Sequence, residues 1–278
     1  MRKIYHEELQ DILFDLLKRL DLFCKENGIT YFLDSGTLIG AVRHHGFIPW
    51  DDDVDICMPR PHYDRFVQLC NDGKLPEYMT LIKSEDTLFP YIKVGDNRTL
   101  LIEYPNTLRS EMNVYIDIFP KDGLPDNRKK SEKLCNKVAF YNNLYWFNKY
   151  SVRVWKKKGN IVKKIIATIA SPFVKDGLYP LKKALKLAKS YDYEKSDYVA
   201  TIVAGGMHNC VPKKCFDSSI DMVFNGYKLP VMIGYDQYLR TLYSHINNGD
   251  YMQLPPEDKK IIHETEVYWI DGFEDTVL

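Results

Sequence analysis

Four of the five residues 51–55 are aspartates, and apolar residues follow them directly. Carboxylates this close repel one another unless protons or a cation lie between them. From Asp53 the chain alternates acidic and apolar residues, and alternate side chains of a β-strand point to the same face. The pattern therefore predicts a strand that presents Asp53 and Asp55 together while Val54 and Ile56 enter a core. Whatever neutralises the aspartates decides the chemistry of this region.

Hydrophobic periodicity predicts the elements around this strand. Apolar residues recur at helical spacing from Leu9 to Phe23, and Asn27-Gly28 supplies a stop. A strand over 29–34, a short helix over 38–45 and a second helix over 61–73 follow. Four strand-like runs come next, YMTLIKS, PYIKVGD, TLLIEY and NVYIDIF. This order predicts an α+β fold, with a mixed sheet core and helical additions.

The length of 278 residues suits one elaborated catalytic domain. We expect its core over about 25–125, a helical basic insertion over about 128–195 and a mixed C-terminal segment over about 196–278. The six cysteines form no C-x-x-C pair, which predicts reduced thiols rather than a zinc site or disulfides.

The net charge is zero, but residues 153–189 carry eleven Lys or Arg against one acid, Asp176. A patch of one sign predicts an anionic partner for that stretch, or else a solvated helical face. Residues 161–174 have an amphipathic pattern, so we expect 161–189 to make peripheral contact with a membrane. Nucleic acid is not expected, because no recognised binding motif accompanies the charge. The N-terminus lacks an apolar signal region, which predicts a cytoplasmic protein, peripheral at the inner membrane face.

Several chemistries could explain the acidic cluster. An EF-hand loop counted from Asp51 needs Gly at position 6 and Glu at position 12, but Ile56 and His62 stand there. The spacing also fits an aspartyl phosphatase poorly. A glycosyltransferase with an Asp-x-Asp metal motif remains open, as does a solvated turn or helix cap.

A nucleotidyltransferase-type metal site needs a third carboxylate from a neighbouring strand. Asp117 is the only acid in the apolar run NVYIDIF and can supply it. Hard carboxylate oxygens suit Mg²⁺ or Mn²⁺, which also bind phosphate. Gly36-Thr37, at the end of the strand before the cluster, can offer N–H and hydroxyl donors to that phosphate. The combination predicts a divalent metal at Asp53, Asp55 and Asp117.

Three motifs resemble the LicD family of phosphotransferases: LDSGTLIGAVRHHGFIPWDDDVDICMPR (33–60), NVYIDIFPKDGLPD (113–126) and GDYMQLPP (249–256). The resemblance implies a nucleotidyltransferase-like fold, a CDP-linked alcohol donor and a glycan acceptor. Carried onto this sequence, it implies metal ligands at Asp53, Asp55 and Asp117 and a phosphate turn at Gly36 and Thr37. It also places the basic residues Arg43 and Lys93 near the phosphates, although a solvated lysine on an edge strand explains Lys93 equally well.

The implied reaction transfers phosphocholine, or a related alcohol phosphate, from a CDP-alcohol to a hydroxyl of a cell-surface glycan or teichoic acid precursor, releasing CMP. Asp117 or Asp51 is expected to take the hydroxyl proton. Trp50 is expected to bind substrate together with Gly36, Thr37, Arg43 and Lys93. An aromatic cage for choline could draw on Tyr141, Tyr145, Trp146 and Tyr150, although core packing is the preferred explanation for them. The alternatives are a metal-dependent glycosyltransferase and a catalytically silent glycan-binding module.

Overall fold

The computed structural model of the chain describes residues 1–103, 109–151, 161–170, 177–254 and 265–273. Its longest helix, α1 (His6–Glu26), begins after Tyr5 and ends at Asn27. The apolar positions that predicted this helix are all buried: Leu9, Ile12, Leu13, Leu16, Leu17, Leu20 and Phe23. Gly28 follows with a φ of +63°, a left-handed conformation that glycine adopts without strain. The predicted amphipathic helix is therefore confirmed.

The strands of the described residues fall into two sheets. They are β1 (Arg2–Ile4), β2 (Phe32–Leu33), β3 (Asp55–Pro59), β4 (Met79–Ile82), β5 (Ile92–Glu103), β6 (Ser110–Gly123), β7 (Tyr198–Ala200), β8 (Val211–Pro212), β9 (Ser219–Phe224), β10 (Tyr227–Met232) and β11 (Thr265–Trp269). The main sheet has the order β1-β11-β5-β6-β3-β2, with β4 on β5 and β7 bridging β6 and β8. Strands β9 and β10 form a separate hairpin.

Only β3 and β6 run parallel among the described pairs, so the main sheet is mixed. This confirms the expected mixed sheet with helical additions. Both β3 and β6 lie inside the sheet, with β2 beyond one and β5 beyond the other. Side chains of these two strands are therefore held by neighbours on both edges.

Two predicted strands, PYIKVGD and TLLIEY, are in fact the single strand β5. Its pairing with β6 is interrupted between Asp96 and Leu101 and then resumes. The Asp96 carboxylate accepts hydrogen bonds from the backbone and guanidinium of Arg98, and Thr99 Oγ1 donates to the Asp96 carbonyl. Because these local contacts satisfy the polar groups of the irregularity, the strand continues through residues that looked like a turn.

The remaining helices are shorter. They are α2 (Ser35–Ile39), which runs into a π-helical turn at Gly40–His44, then α3 (Arg60–Asn71), α4 (Arg128–Trp146) with a π-helical turn at Phe147–Ser151, α5 (Ile161–Ala170), α6 (Tyr179–Ala188) and α7 (Tyr235–Leu242). The strand predicted over 29–34 is correspondingly reduced to β2, because the chain turns into α2 at Ser35. The predicted Gly36-Thr37 turn is therefore the first turn of a helix.

Two hydrophobic clusters hold the described residues together. The larger joins α1 and α3 to the main sheet, and the smaller lies between α4, α6 and residues 200–203. The described part of the predicted insertion is helical, as expected. The division into a core, an insertion and a C-terminal segment stays a prediction. All six cysteines are free.

In the described residues, no helix is both long and apolar enough to cross a membrane.

Candidate active site

Three charged side chains lie in one row across the middle of the main sheet. Asp55 of β3 is in register with Asp117 of β6, and Asp117 is in register with Lys93 of β5. Residues in register on paired strands point to the same face, so the row presents two carboxylates and one ammonium side by side. Lys93 Nζ lies 2.5 Å from Asp117 Oδ1, and the two residues are only 1% and 7% exposed.

The other predicted acids crowd around Asp55. Burial raises the pKa of Asp55 well above its usual value, and the charges of Asp53, Asp117, Asp34 and Asp51 raise it further. The side chain of Asp51 lies over Gly36, where a Cβ atom would come within 3.1 Å of Asp51 Oδ2. The structure thus brings together the four aspartates that the sequence singled out.

The backbone around the acids is held by α1 and α2. His6 Nε2 forms a hydrogen bond with the Pro49 carbonyl, and Gln10 Nε2 donates to the Asp51 carbonyl. Thr37 is 2% exposed, and its Oγ1 accepts a hydrogen bond of 2.9 Å from the Asp55 amide. Thr37 therefore fixes the start of β3, a task that the sequence did not indicate. Its expected contact with phosphate stays a prediction.

Lys93 lies among aromatic rings. Its Nζ is 3.5 Å from the ring centroid of Tyr115, 4.8 Å from that of Phe89 and 5.5 Å from that of Tyr91. Ring faces attract cations, and the attraction grows as water is excluded. The interpretation of Lys93 as a solvated edge-strand lysine is therefore wrong, because β5 is an interior strand and the ammonium is buried.

A second buried lysine, Lys121, holds Asp34 in a hydrogen-bond network next to the site. Its Nζ donates to Asp34 Oδ2 at 2.7 Å, to Tyr238 Oη at 2.7 Å and to Thr201 Oγ1 at 3.0 Å. Asp34 also accepts from the Ser35 amide and from Tyr238 Oη. All of the ammonium's donors are used, so the network fixes the N-terminus of α2 to α7 and to the chain near Thr201.

Sequence reasoning missed Lys121 and two tyrosines that face the acids. Burial raises the pKa of the Tyr91 hydroxyl well above its usual value, and the charges of Asp117, Asp55 and Asp53 add to the shift. The pKa of Tyr243 is raised by burial and then by Asp55, Asp34, Asp51 and Asp53. Lys121 lies two residues beyond the apolar run NVYIDIF in the second motif, which was an available signal. No sequence pattern pointed to the two tyrosines, because only the fold brings them close to the acids.

Arg43 contacts the third motif rather than the acids. Its Nη1 donates to the carbonyls of Tyr251 and Gln253, at 2.8 and 3.0 Å, and its Nε donates to His44 Nε2. Trp50 is half-buried against the larger hydrophobic cluster. The expected phosphate contacts of Arg43 and Trp50 stay predictions, and residues 255–256 of the motif lie outside the described residues.

The aromatic residues proposed for a choline cage separate into different environments. Tyr145 is buried and its hydroxyl donates to the Thr87 carbonyl, while Tyr141 packs against the smaller hydrophobic cluster. Trp146 lines an open cleft. The side chain of Tyr150 lies outside the described residues. Core packing thus accounts for Tyr141 and Tyr145, as the alternative explanation held.

A divalent cation can be tested against this arrangement. In the described ranges, no three His, Cys, Asp or Glu side chains form a ready-made metal cluster. The carboxylates of Asp53, Asp55 and Asp117 nevertheless have the oxygen chemistry that Mg²⁺ prefers, and the crowding that raises the pKa of Asp55 is relieved by positive charge. The residues therefore fit a divalent cation chemically. The ammonium of Lys93 already places one positive charge beside Asp117.

Comparison with known proteins identifies the family of the chain. Residues 28–183 match the family described as LicD/FKTN/FKRP, nucleotidyltransferase domain. The chain is 33% identical to the lipopolysaccharide cholinephosphotransferase LicD of Haemophilus influenzae over 276 residues, which cover 96% of this chain and 99% of that protein. An uncharacterized protein of Rickettsia typhi is 41% identical over 118 residues, covering 41% of this chain and 36% of that protein. The matched range of the family contains the whole acidic row together with Thr37, and the protein belongs to the LicD family.

Proposed function

We propose that the protein transfers phosphocholine from CDP-choline to a hydroxyl of a cell-surface glycan and releases CMP. The observation that carries the proposal is the row of Asp55, Asp117 and Lys93 across three neighbouring strands, in which Asp117 and Lys93 are buried and Asp53 and Asp51 lie near Asp55. The relative that acts as a lipopolysaccharide cholinephosphotransferase supports choline as the alcohol and lipopolysaccharide as the acceptor. A teichoic acid precursor is the other acceptor of this chemical type.

The fold inference belongs to the same proposal. We infer that the mixed sheet is nucleotidyltransferase-like, because it places carboxylates on adjacent parallel strands at one face and because the matched family carries that description. In this arrangement Asp53, Asp55 and Asp117 would hold Mg²⁺ or Mn²⁺. The ion, when bound, supplies positive charge to the diphosphate of the donor.

The chain's own residues would orient the reactants. Gly36, Thr37, Arg43 and Trp50 are the proposed binding residues for the donor. Lys93 supplies a second positive charge to the transferred phosphoryl group, from a position shielded from water.

Asp51 is the better candidate to accept the proton of the attacking hydroxyl. Asp117 forms an ion pair with Lys93, and a neighbouring ammonium favours the ionised carboxylate over the protonated one. Asp51 instead lies over Gly36, one of the proposed donor-binding residues. A general base needs to be within hydrogen-bond reach of the hydroxyl in the bound complex, and a carboxylate beside the donor-binding residues can meet this requirement.

We further propose that α5 rests on an anionic membrane surface, where a lipid-linked acceptor glycan would be found. The apolar side chains of this helix are exposed, with Ile161 at 76% and Ile169 at 65%. Lys163 and Lys164 are exposed on the same helix. Apolar and basic side chains on one short helix are the features of interfacial helices. Residues 171–176 of the expected contact lie outside the described residues.

Release of CMP from CDP-choline in the presence of Mg²⁺ and glycan tests the proposal. Asp53→Asn is expected to lower kcat at least ~100-fold, because several kcal/mol of charge stabilisation depend on the carboxylates. Asp221→Asn, an exposed position of the β9–β10 hairpin, is the matched control and should leave the rate unchanged.

Full turnover by Asp53→Asn would contradict the catalytic role of the cluster. Release of a nucleoside diphosphate from a nucleotide sugar, without CMP release from any CDP-alcohol, would instead support the glycosyltransferase alternative.

A further inference from the structure

An open cleft lies beside the acidic row. Its volume is about 640 Å³, and its walls are α4, the segment Phe89–Tyr91 and the loop 202–207. Clefts of a few hundred to a thousand cubic ångströms are the usual size for small-molecule sites. Neither the proposed donor-binding residues nor the proposed metal ligands line this cleft. What the cleft binds is therefore indicated by the chemistry of its lining residues.

The walls combine flat aromatic faces with amide groups. Phe89, Tyr91 and Trp146 supply the rings, while Asn136 and Asn143 supply amides that both donate and accept hydrogen bonds. In the described part of the chain, Glu132 is the only charged residue that lines the cleft. A diphosphate needs cations or converging backbone amides, so this surface does not suit the nucleotide.

The rings and Glu132 would attract a choline headgroup, but choline leaves the asparagine amides of the cleft without partners. A trimethylammonium group has no hydrogen to donate to the amide oxygens, and it is small for a space of about 640 Å³. A sugar has hydroxyls that match the asparagine amides and C–H faces that can stack on aromatic rings. The lining therefore favours one or two neutral sugar residues.

Tyr91 lies between the cleft and the acids. This residue lines the cleft, and its ring centroid lies 5.5 Å from Nζ of Lys93, the lysine that pairs with Asp117. Its ring also lies 4.6 Å from that of Phe119, which is in register with Cys57, two residues beyond Asp55 on β3. A sugar in the cleft against Tyr91 would therefore lie beside the row of Asp55, Asp117 and Lys93.

The far wall is fixed in place. Asn142 Nδ2 donates to the Val203 carbonyl at 2.8 Å, which joins α4 to the loop, while Asn142 Oδ1 is buried without a hydrogen-bond partner. A side chain at Gly205 would displace Asn209, because a Cβ atom would come within 2.5 Å of Asn209 Nδ2. A preformed wall reduces the ordering that a weakly held sugar would otherwise require.

We propose that this cleft is the acceptor subsite and that it binds the sugar residue whose hydroxyl receives the phosphoryl group, with Trp146 as the stacking face. The role as acceptor rests on the proposed function, whereas sugar binding itself does not.

Saturation-transfer NMR on the full chain tests the proposal, with methyl glycosides of galactose, glucose and N-acetylglucosamine as probes. At least one glycoside should receive saturation from the wild-type protein. Trp146→Ala should weaken that binding roughly fivefold to tenfold through loss of the stacking face, while Trp146→Phe should restore most of it. Phe140→Ala is the matched control, because Phe140 is an aromatic residue of α4 that is 61% exposed and does not line the cleft.

Three results would overturn the proposal: no saturation of any glycoside, equal saturation with Trp146→Ala, or a Trp146-dependent signal from tetramethylammonium and not from the sugars. The last would assign the cleft to the choline headgroup. CMP release from CDP-choline, measured on the same samples, separates the two ideas. Its absence from the wild type defeats the proposed function alone, whereas normal CMP release with sugar binding independent of Trp146 defeats the acceptor subsite alone.

Discussion

Lys93 shows how one residue can hold a crowded acidic site together. Its ammonium is the positive group in direct contact with Asp117, and three aromatic rings exclude water from it. Removing one partner of a buried ion pair leaves the other charge without compensation, which is far more costly than losing a surface pair.

Lys93→Met is therefore expected to lower the free energy of unfolding by about 3–5 kcal/mol in metal-free buffer. The methionine retains the length of the side chain, so the lost charge rather than a cavity dominates the change. Urea unfolding followed by circular dichroism measures the effect. The control is Lys228→Met on β10, where the lysine is exposed. A loss below ~1 kcal/mol would mean that the carboxylates do not depend on Lys93.

Residues differ in how well the sequence predicts them, and the reason is the distance of their partners along the chain. Asp55 and Asp117 could be predicted because each interrupts an apolar alternation, a pattern visible within six or seven residues. Lys121, Tyr238 and Tyr91 act through partners dozens to more than a hundred residues away. No local pattern encodes such pairs, so only the fold identifies them.

At the scale of elements, α5 differs from the other long helices in the direction of its apolar side. Helix α1 buries its apolar positions, whereas those of α5 are exposed to solvent. Exposing an apolar helix face to water costs roughly 25 cal/mol for each square ångström of apolar surface. Binding to a membrane surface would remove this cost.

We expect the protein to float with vesicles that contain phosphatidylglycerol and to float less at high salt, because screening weakens the attraction of the lysines. Ile165→Glu should reduce flotation severalfold, because it places a charge among the apolar side chains. Thr168→Glu adds the same charge at another exposed position of α5 and serves as its control. If Ile165→Glu floats as well as the wild type and Thr168→Glu, or if the wild type does not float, α5 is excluded as the contact.

Elements with strong internal periodicity were predicted with nearly correct bounds, as α1 and α3 show. The region from 29 to 45 was predicted less well. There a two-residue strand turns into α2 at Ser35, and a π-helical turn follows because Gly40 packs against the Gly46 carbonyl, where a Cβ atom would come within 2.4 Å. Tertiary contacts set these bounds, so the sequence alone could not.

For the molecule as a whole, binding of the donor should be visible as stability. A ligand that binds only the folded state stabilises it by about 2.7 kcal/mol at one hundred times its Kd, which corresponds to a rise in Tm of roughly 5–10 °C for a chain of this size. We expect CDP-choline with MnCl₂ to produce such a rise in a thermal shift assay. CDP-ethanolamine, CDP-ribitol and CDP-glycerol should produce smaller ones. A larger rise with a nucleotide sugar would favour glycosyl transfer.

The contacts of Lys121 connect the proposed reaction centre with the proposed acceptor cleft. One ammonium reaches Asp34, which begins the helix that carries Thr37, and Thr201, which precedes the loop lining the cleft. Thr201 is fixed in turn by Asn209, beyond the other end of that loop. The loop is thus held at both ends, and Ala204 and Met207 line the cleft between these ends without being buried. Substitutions at these two positions are therefore expected to change which glycan is accepted, while the contacts of Lys121 keep the reaction centre in its original alignment.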